Sequence, residues 1–214
     1  MAQSTPTLTD EVPSARSGKL STLPAKYIHV LTRPSVNTFS EEKNQASWTG
    51  VWCQLLVLGL VSALLYILAL LITPLQIASV QGVDPATLRL ITLIFSAVVV
   101  LVATPCSFFA ASGVLYLFAR LFKGTGFYLE QTYALTLLGV PMVVLSSLLL
   151  LIPTVGNWVA FIPHIYSLVL LVLALQAVHH LGRGRALAVI LVPAAILLLL
   201  VLVGIAVLVI ALPR

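Results

Sequence analysis

The chain has 214 residues, of which 60% are hydrophobic and only 8% are charged, whereas an ordinary soluble domain carries about 25% charged residues. This composition excludes a soluble globular protein. Four uncharged stretches lie between Lys43 and Asp84 (40 residues), Arg89 and Arg120 (30), Glu130 and Arg183 (52), and Arg185 and Arg214 (28). Since one bilayer crossing needs roughly 20 apolar residues, we predict an all-α polytopic membrane protein, a bundle of five transmembrane helices.

The first 47 residues precede these spans. Residues 1–24 are rich in Ser, Thr and Pro and contain no apolar run, so we predict a disordered cytoplasmic tail. Residues 25–47 mix apolar and charged side chains, which suits short interfacial helices on the membrane surface. A solvated linker fits this segment equally well. The five-span transmembrane domain then occupies residues 48–214.

The first two spans carry clear signals at their ends. The first covers about residues 51–72 and begins beside Trp48 and Trp52, at the depth where indole rings prefer the interface. The second begins with Asp84 as the predicted N-cap and Pro85 as the first helical residue. Both signals place the start of a helix independently of its hydropathy.

The second span is longer than a bilayer requires. Its uncharged part, residues 90–119, would be about 45 Å long, so we expect a tilt together with a bend at Pro105. A turn signal at residues 153–157 divides the longest uncharged stretch. The remaining spans are predicted at about residues 128–152, 158–179 and 186–212.

The basic residues predict an orientation. On one side of the five spans lie nine Lys and Arg residues, against Arg89 and Arg214 on the other. By the positive-inside rule the N-terminus is cytoplasmic and the C-terminus outside. The cytoplasmic loops contribute a basic face, formed by Arg120, Lys123, Arg183 and Arg185.

Two polar residues within the spans are candidate functional positions, although both have simpler explanations. Glu130 could take part in a proton or ion pathway, but we favour a role at the helix N-terminus and an ion pair with Arg120 or Lys123. His164 could act in a proton-coupled step. For His164 we favour a hydrogen bond to a neighbouring helix.

No catalytic or metal-binding set can be assembled from the other reactive residues. Cys53 and Cys106 belong to no CxxC pattern and suit small packing positions. His179 and His180 are adjacent, so they point about 100° apart on a helix, and we interpret them and His29 as interfacial. We therefore expect no enzyme activity, no cofactor and no metal.

Small residues recur at helix-packing spacing in the first two spans. Gly59 pairs with Ala63, and Ala103, Ser107 and Ala111 share one face of the second span. This spacing allows close contact between helices. We favour packing within one chain, and a homo-oligomer is the alternative.

Five segments together resemble one known family: LTRPSVNTF, GTGFYLEQTYALTLLGVP, LIPTVGNW, IYSLVLLVLALQAVHHL and GRGRALAV. The family is the Yip domain family, the Rab-interacting membrane proteins and their prokaryotic relatives. The resemblance covers about residues 31–212 and implies five spans with a cytoplasmic N-terminus. Eukaryotic members are associated with traffic between endoplasmic reticulum and Golgi and with prenylated Rab-type GTPases. The DLYGP-like segment that many of them carry is missing here, which favours a prokaryotic-type member.

These observations favour a non-enzymatic membrane scaffold or adaptor. The expected partners are membrane lipids, other membrane proteins or a GTPase, in a bacterial-type plasma membrane or, in a eukaryote, in the endoplasmic reticulum or Golgi membrane. The net charge of +5 is explained by the positive-inside bias and by anionic lipid, so no nucleic acid is expected. The alternative is a small permease, a channel or a subunit of a membrane export complex.

Overall fold

The structure, a computed structural model, describes residues 22–72, 84–152 and 154–211. Within these ranges it contains eight helices and no strand: α1 (Leu23–Thr32), α2 (Val36–Lys43), α3 (Trp48–Ile72), α4 (Pro85–Leu121), α5 (Tyr128–Leu150), α6 (Gly156–Val159), α7 (Phe161–His179) and α8 (Arg183–Ala211). Five segments are long and apolar enough to cross a membrane, with α6 and α7 forming one of them. The predicted bundle of five spans is confirmed.

Some predicted features lie outside the described residues. They include the tail up to residue 21, the loop at residues 73–83, Pro153 and residues 212–214. The predicted disordered tail extends to residue 24, but helix α1 starts at Leu23. The side-chain oxygen of Asp84 accepts a hydrogen bond of 3.0 Å from the Thr87 amide and caps α4. Pro105 lies inside that helix, which is continuous over 37 residues.

Helix α5 is the centre of the bundle. It packs against α3, α4 and α7 and also against the two short helices α1 and α2. Half of the residues in its most apolar stretch are buried inside the protein, a larger share than in any of the other four spans. Helix α4 packs mainly on α3, and α8 lies against α4 and α7.

Helices α1 and α2 form a hairpin that packs on α5 and α7. Ser35 begins α2, since its side-chain oxygen accepts a hydrogen bond of 3.0 Å from the Thr38 amide. Val30 of α1 and Phe39 of α2 are fully buried in one cluster with apolar residues of α5 and α7. Burying two apolar side chains contributes about 1.5–3 kcal/mol each, so the hairpin is part of the folded core.

The small-residue faces of the first two spans differ in their environment. A Cβ atom on Gly59 would lie 3.2 Å from the carbonyl oxygen of Leu101, so α3 and α4 approach closely there. Ala103, Ser107 and Ala111 are instead exposed. The sequence predicts that this second set packs within the chain. That expectation is wrong, because other residues of α4 face the neighbouring helices.

Candidate interaction site at the basic end of the bundle

One end of the bundle collects the basic residues, and we call it the basic end. It consists of the start of α1, the end of α2, the connection between α4 and α5 at residues 122–127, and the connection between α7 and α8 at residues 180–182. Contacts bring these parts together: Lys43 Nζ donates a hydrogen bond of 3.0 Å to the Ala177 carbonyl, and the Thr125 amide donates one of 3.3 Å to the His179 carbonyl. The predicted basic face lies at this end.

Two residues of the basic face flank one apolar cluster in sequence. Arg120 follows Ala119, and Arg185 precedes Ala186, and both alanines are fully buried in the same cluster. The four basic side chains are exposed. Arg120 Nη1 donates to the Gly124 carbonyl at 3.1 Å. The side chains of the other three, Lys123, Arg183 and Arg185, form no hydrogen bond or ion pair within the described residues.

The start of α8 is electrostatically unusual. Arg183 and Arg185 lie in its first turn, which contains no acidic residue. Because the helix dipole places positive charge at this terminus, cations there are unfavourable and an anion is favourable. The basic face therefore concentrates positive charge that anions would stabilise.

Glu130 does not form the expected ion pair with Arg120 or Lys123. Its Oε2 atom instead accepts a hydrogen bond of 3.5 Å from the Phe127 amide and caps α5. The side chain thus turns toward its own helix terminus. Arg120 is held elsewhere, by the Gly124 carbonyl and by the Tyr116 ring, whose centroid lies 5.5 Å from the guanidinium.

A buried polar network fastens α4, α5 and α7 together next to the basic face. His179 Nε2 lies 2.7 Å from Gln131 Oε1, and Gln131 Nε2 donates to the Ser112 carbonyl at 2.8 Å. The Ser112 and Thr132 hydroxyls are 3.0 Å apart. His179 is only 1% exposed, so its interpretation as an interfacial residue is wrong. The bundle covers this histidine because the α4–α5 connection folds over the end of α7.

A second polar network fixes α1 and α2. Lys26 Nζ donates to Gln45 Oε1 at 2.8 Å and to the Tyr133 hydroxyl at 3.0 Å, and it lies 3.1 Å from Glu42 Oε2. Burial lowers the pKa of Lys26, but the bonds to Tyr133 and Glu42 outweigh it and raise that pKa above its ordinary value. The charged form of Lys26 is thus the form that the fold stabilises.

Tyr27 also connects α1 to the spans. Its hydroxyl donates to Gln54 Oε1 of α3 at 3.0 Å. Burial, together with the nearby Cys53 and Tyr133, raises the pKa of Tyr27 to about 12. The sequence shows the polar residues of both networks but does not show which of them meet, because their partners are far apart along the chain.

His164 lies away from the basic end. Its Nδ1 atom is 2.6 Å from the Ala160 carbonyl of the preceding turn and 3.5 Å from the Ser146 hydroxyl of α5. The expected hydrogen bond to a neighbouring helix is therefore present, and a shorter local bond accompanies it. Within the described ranges, no group of three or more His, Cys, Asp or Glu residues could hold a metal ion.

These features define a polytopic helical membrane protein with a basic face and hydrogen-bonded networks at one end of its bundle. Residues 28–205 match the Yip1 domain. The chain belongs to the Yip1 domain family, and the resemblance drawn from the sequence is confirmed. Comparison with curated proteins and with solved structures gives no match.

Proposed function

We propose that the protein is a non-enzymatic membrane scaffold or adaptor that holds partners through its basic face. The observation that carries this proposal is the exposure of Arg120, Lys123, Arg183 and Arg185 at one end of the bundle, where Arg120 and Arg185 flank one buried apolar cluster. Exposed cations without carboxylate partners attract anionic lipid or an acidic protein surface. Because all four lie at one end of the bundle, such a surface has a defined place to bind.

The buried networks support a scaffold because they hold the helices in place. Gln131, His179 and Ser112 bond to one another across three spans. Polar groups that bond across helices stabilise their association in a bilayer. A rigid basic face is preorganised, so little conformational entropy is lost when a partner binds.

Membership of the Yip1 domain family supports a membrane-associated partner. Eukaryotic relatives are associated with prenylated Rab-type GTPases, which makes a GTPase one candidate, alongside anionic lipids and other membrane proteins. The proposed orientation places the basic face in the cytoplasm, where such partners are found. A bacterial-type plasma membrane is the proposed location.

Co-purification in mild detergent tests the proposal. The wild type is compared with a variant in which the four basic-face residues are replaced by glutamine. Arg89→Gln is the matched control, since Arg89 lies near the other end of α4. We expect specific partners on the wild type and on Arg89→Gln, and their loss from the fourfold variant.

A transport assay on the same preparations distinguishes the alternative function. A scaffold reconstituted into liposomes shows no solute flux above that of empty vesicles. A measured flux, together with the absence of any specific partner, would overturn the scaffold and favour a small permease.

A further inference from the structure

The hairpin of α1 and α2 extends far along α7. At one end, Lys43 Nζ donates to the Ala177 carbonyl at 3.0 Å. Near its tip, the Tyr166 hydroxyl donates to the Leu31 carbonyl at 2.6 Å. Tyr166 is separated from His179, the last residue of α7, by about 20 Å of helix. The tip of the hairpin therefore lies roughly two-thirds of the way along the apolar helix α7.

The tip of the hairpin is hydrophilic. Arg33, Pro34 and Asn37 are exposed, and the Arg33 guanidinium forms no hydrogen bond or ion pair within the described residues. An arginine at bilayer depth costs from about 2.5 to more than 10 kcal/mol, and local thinning and water defects reduce that cost. Lipid and water should therefore rearrange around this face of α5 and α7.

A small pocket, lined mostly by apolar side chains but containing three polar residues, lies beyond the tip of the hairpin. It has a volume of about 120 Å³ and lies between α5 and α7, with Ser146, His164 and Ser167 as its polar residues. Because His164 Nδ1 donates to the Ala160 carbonyl, Nε2 of the neutral ring is an acceptor, and it has no partner within the described residues. Leu138 lines the pocket and also belongs to the apolar cluster that contains Val30 and Phe39 of the hairpin, so the pocket adjoins the hairpin.

Little apolar length remains between the hairpin and the far interface. Trp158 is 78% exposed, as expected for an indole ring at the interface. From Trp158 to Tyr166 the chain rises about 12 Å, compared with about 30 Å for a bilayer core. Trp48 and Trp52, at the start of α3, are suited to the other interface. Because the hairpin packs on α5 and α7, its hydrophilic tip lies beside these two helices.

We propose that this face conducts phospholipid headgroups between the two leaflets, so that the protein scrambles lipids down their gradient. Arg33 binds the phosphate diester as a lipid passes the tip of the hairpin. Ser146, His164 and Ser167 then replace headgroup water on the outer side. The acyl chains stay in the surrounding lipid, and no covalent bond forms or breaks. This activity is separate from partner binding at the basic face.

Reconstitution into vesicles of phosphatidylcholine and phosphatidylglycerol tests the proposal, with a trace of phosphatidylethanolamine whose headgroup amine carries the fluorophore NBD. Added dithionite destroys only the fluorophores that reach the outer leaflet. We expect the wild type to expose inner-leaflet lipid as well, so that fluorescence falls below the level of protein-free vesicles. Arg33→Leu and His164→Leu should each slow this second phase about tenfold.

The controls separate scrambling from leakage and misfolding. Arg89→Leu removes an exposed cation near the other end of α4, away from both the hairpin and the basic face, and should leave the rate unchanged. Encapsulated NBD-glucose must stay fluorescent, since its loss would show that dithionite enters and would overturn the proposal in favour of a pore. Variants are compared only when their thermal unfolding midpoints in detergent match the wild type. Where Arg33→Leu does not fold, Arg33→Gln and Asn37→Leu take its place.

Two results would overturn the proposal outright. One is a wild-type protein that leaves inner-leaflet fluorophores intact in all vesicles. The other is scrambling at the wild-type rate in both Arg33→Leu and His164→Leu, because lipid would then cross somewhere else.

Discussion

His179 Nε2 lies 2.7 Å from Gln131 Oε1, and this hydrogen bond joins the last residue of α7 to the second turn of α5. Since an amide oxygen only accepts, Nε2 carries the proton and donates it. In the neutral ring Nδ1 then becomes an acceptor, and this buried atom has no partner within the described residues. Gln131 therefore determines which tautomer of His179 is present in the folded protein. Its amide nitrogen also donates a hydrogen bond to the Ser112 carbonyl of α4.

Replacing Gln131 with leucine should destabilise the protein. The change leaves the Nε2–H group of His179 buried without an acceptor, which costs about 1–3 kcal/mol. Unfolding in detergent micelles measures this cost. The double variant Gln131→Leu/His179→Leu should cost less than the sum of the two single variants, with a coupling of about 0.5–2 kcal/mol. Strict additivity would show that the two side chains do not interact.

Gly126 should tolerate no side chain. A Cβ atom at this position would collide with the carbonyl oxygen of Val178, so Gly126→Ala must separate the α4–α5 connection from α7. We expect a loss of about 1–3 kcal/mol of stability, as for overpacked cores.

Gly113→Ala is the matched control, because a Cβ atom there would meet nothing within 4 Å. In a helix interior this change should be neutral or stabilise by up to about 1 kcal/mol. Equal thermal midpoints for Gly126→Ala and the wild type would contradict the close contact.

The spans could be predicted from the sequence because each depends on local signals. Charge gaps, the Asp84 cap and Pro85 fix the start of α4 without knowledge of any partner. The buried role of His179 could not be predicted, because it depends on the fold of the α4–α5 connection over α7. His179 and Gln131 are separated by 48 positions in the sequence. From the sequence alone, two adjacent histidines before a basic loop could face either water or the protein.

The basic face could be predicted only in part. Its four members follow from the alternation of loops, which places Arg120 and Arg185 on the same side of the bundle. That they flank one apolar cluster depends on how α4 packs against α8. Likewise, Glu130 lies close to two cations in sequence, yet it caps α5 because its own helix terminus is nearer.

Lys26 should control the docking of the hairpin. Lys26→Met removes the cation that contacts Glu42, Gln45 and Tyr133. The buried Glu42 carboxylate then keeps only the more distant His29, at 4.0 Å, as a neighbour of this kind, which is destabilising. We expect faster hydrogen exchange at the amides of residues 36–43, while exchange in α5 stays slow. The double variant Lys26→Met/Glu42→Gln should recover part of the protection, because it removes the uncompensated charge. Wild-type exchange in Lys26→Met would show that apolar contacts alone hold the hairpin.

Alkaline pH should weaken the contacts of α1. In the folded protein the pKa of Tyr27 is about 12, whereas in the unfolded chain it is about 10. The folded state therefore keeps a proton that the unfolded state has lost, so this group lowers the unfolding free energy as pH rises from 10 to 12. The raised pKa of Lys26 acts in the same direction: its contribution is complete below its ordinary pKa and is lost as pH rises through the folded value.

The difference in phenolate absorbance between the wild type and Tyr27→Phe isolates this titration from the other five tyrosines. We expect its midpoint near pH 12, and a loss of up to about 2 kcal/mol of stability from Tyr27 between pH 10 and pH 12, reduced by solvent screening because the phenol is partly exposed. Tyr27→Phe should lose stability less steeply over the same interval, although it is less stable at pH 8 because Gln54 loses its donor. A midpoint near pH 10 would mean that water reaches the phenol, and that α1 does not seal the contact between Tyr27 and α3.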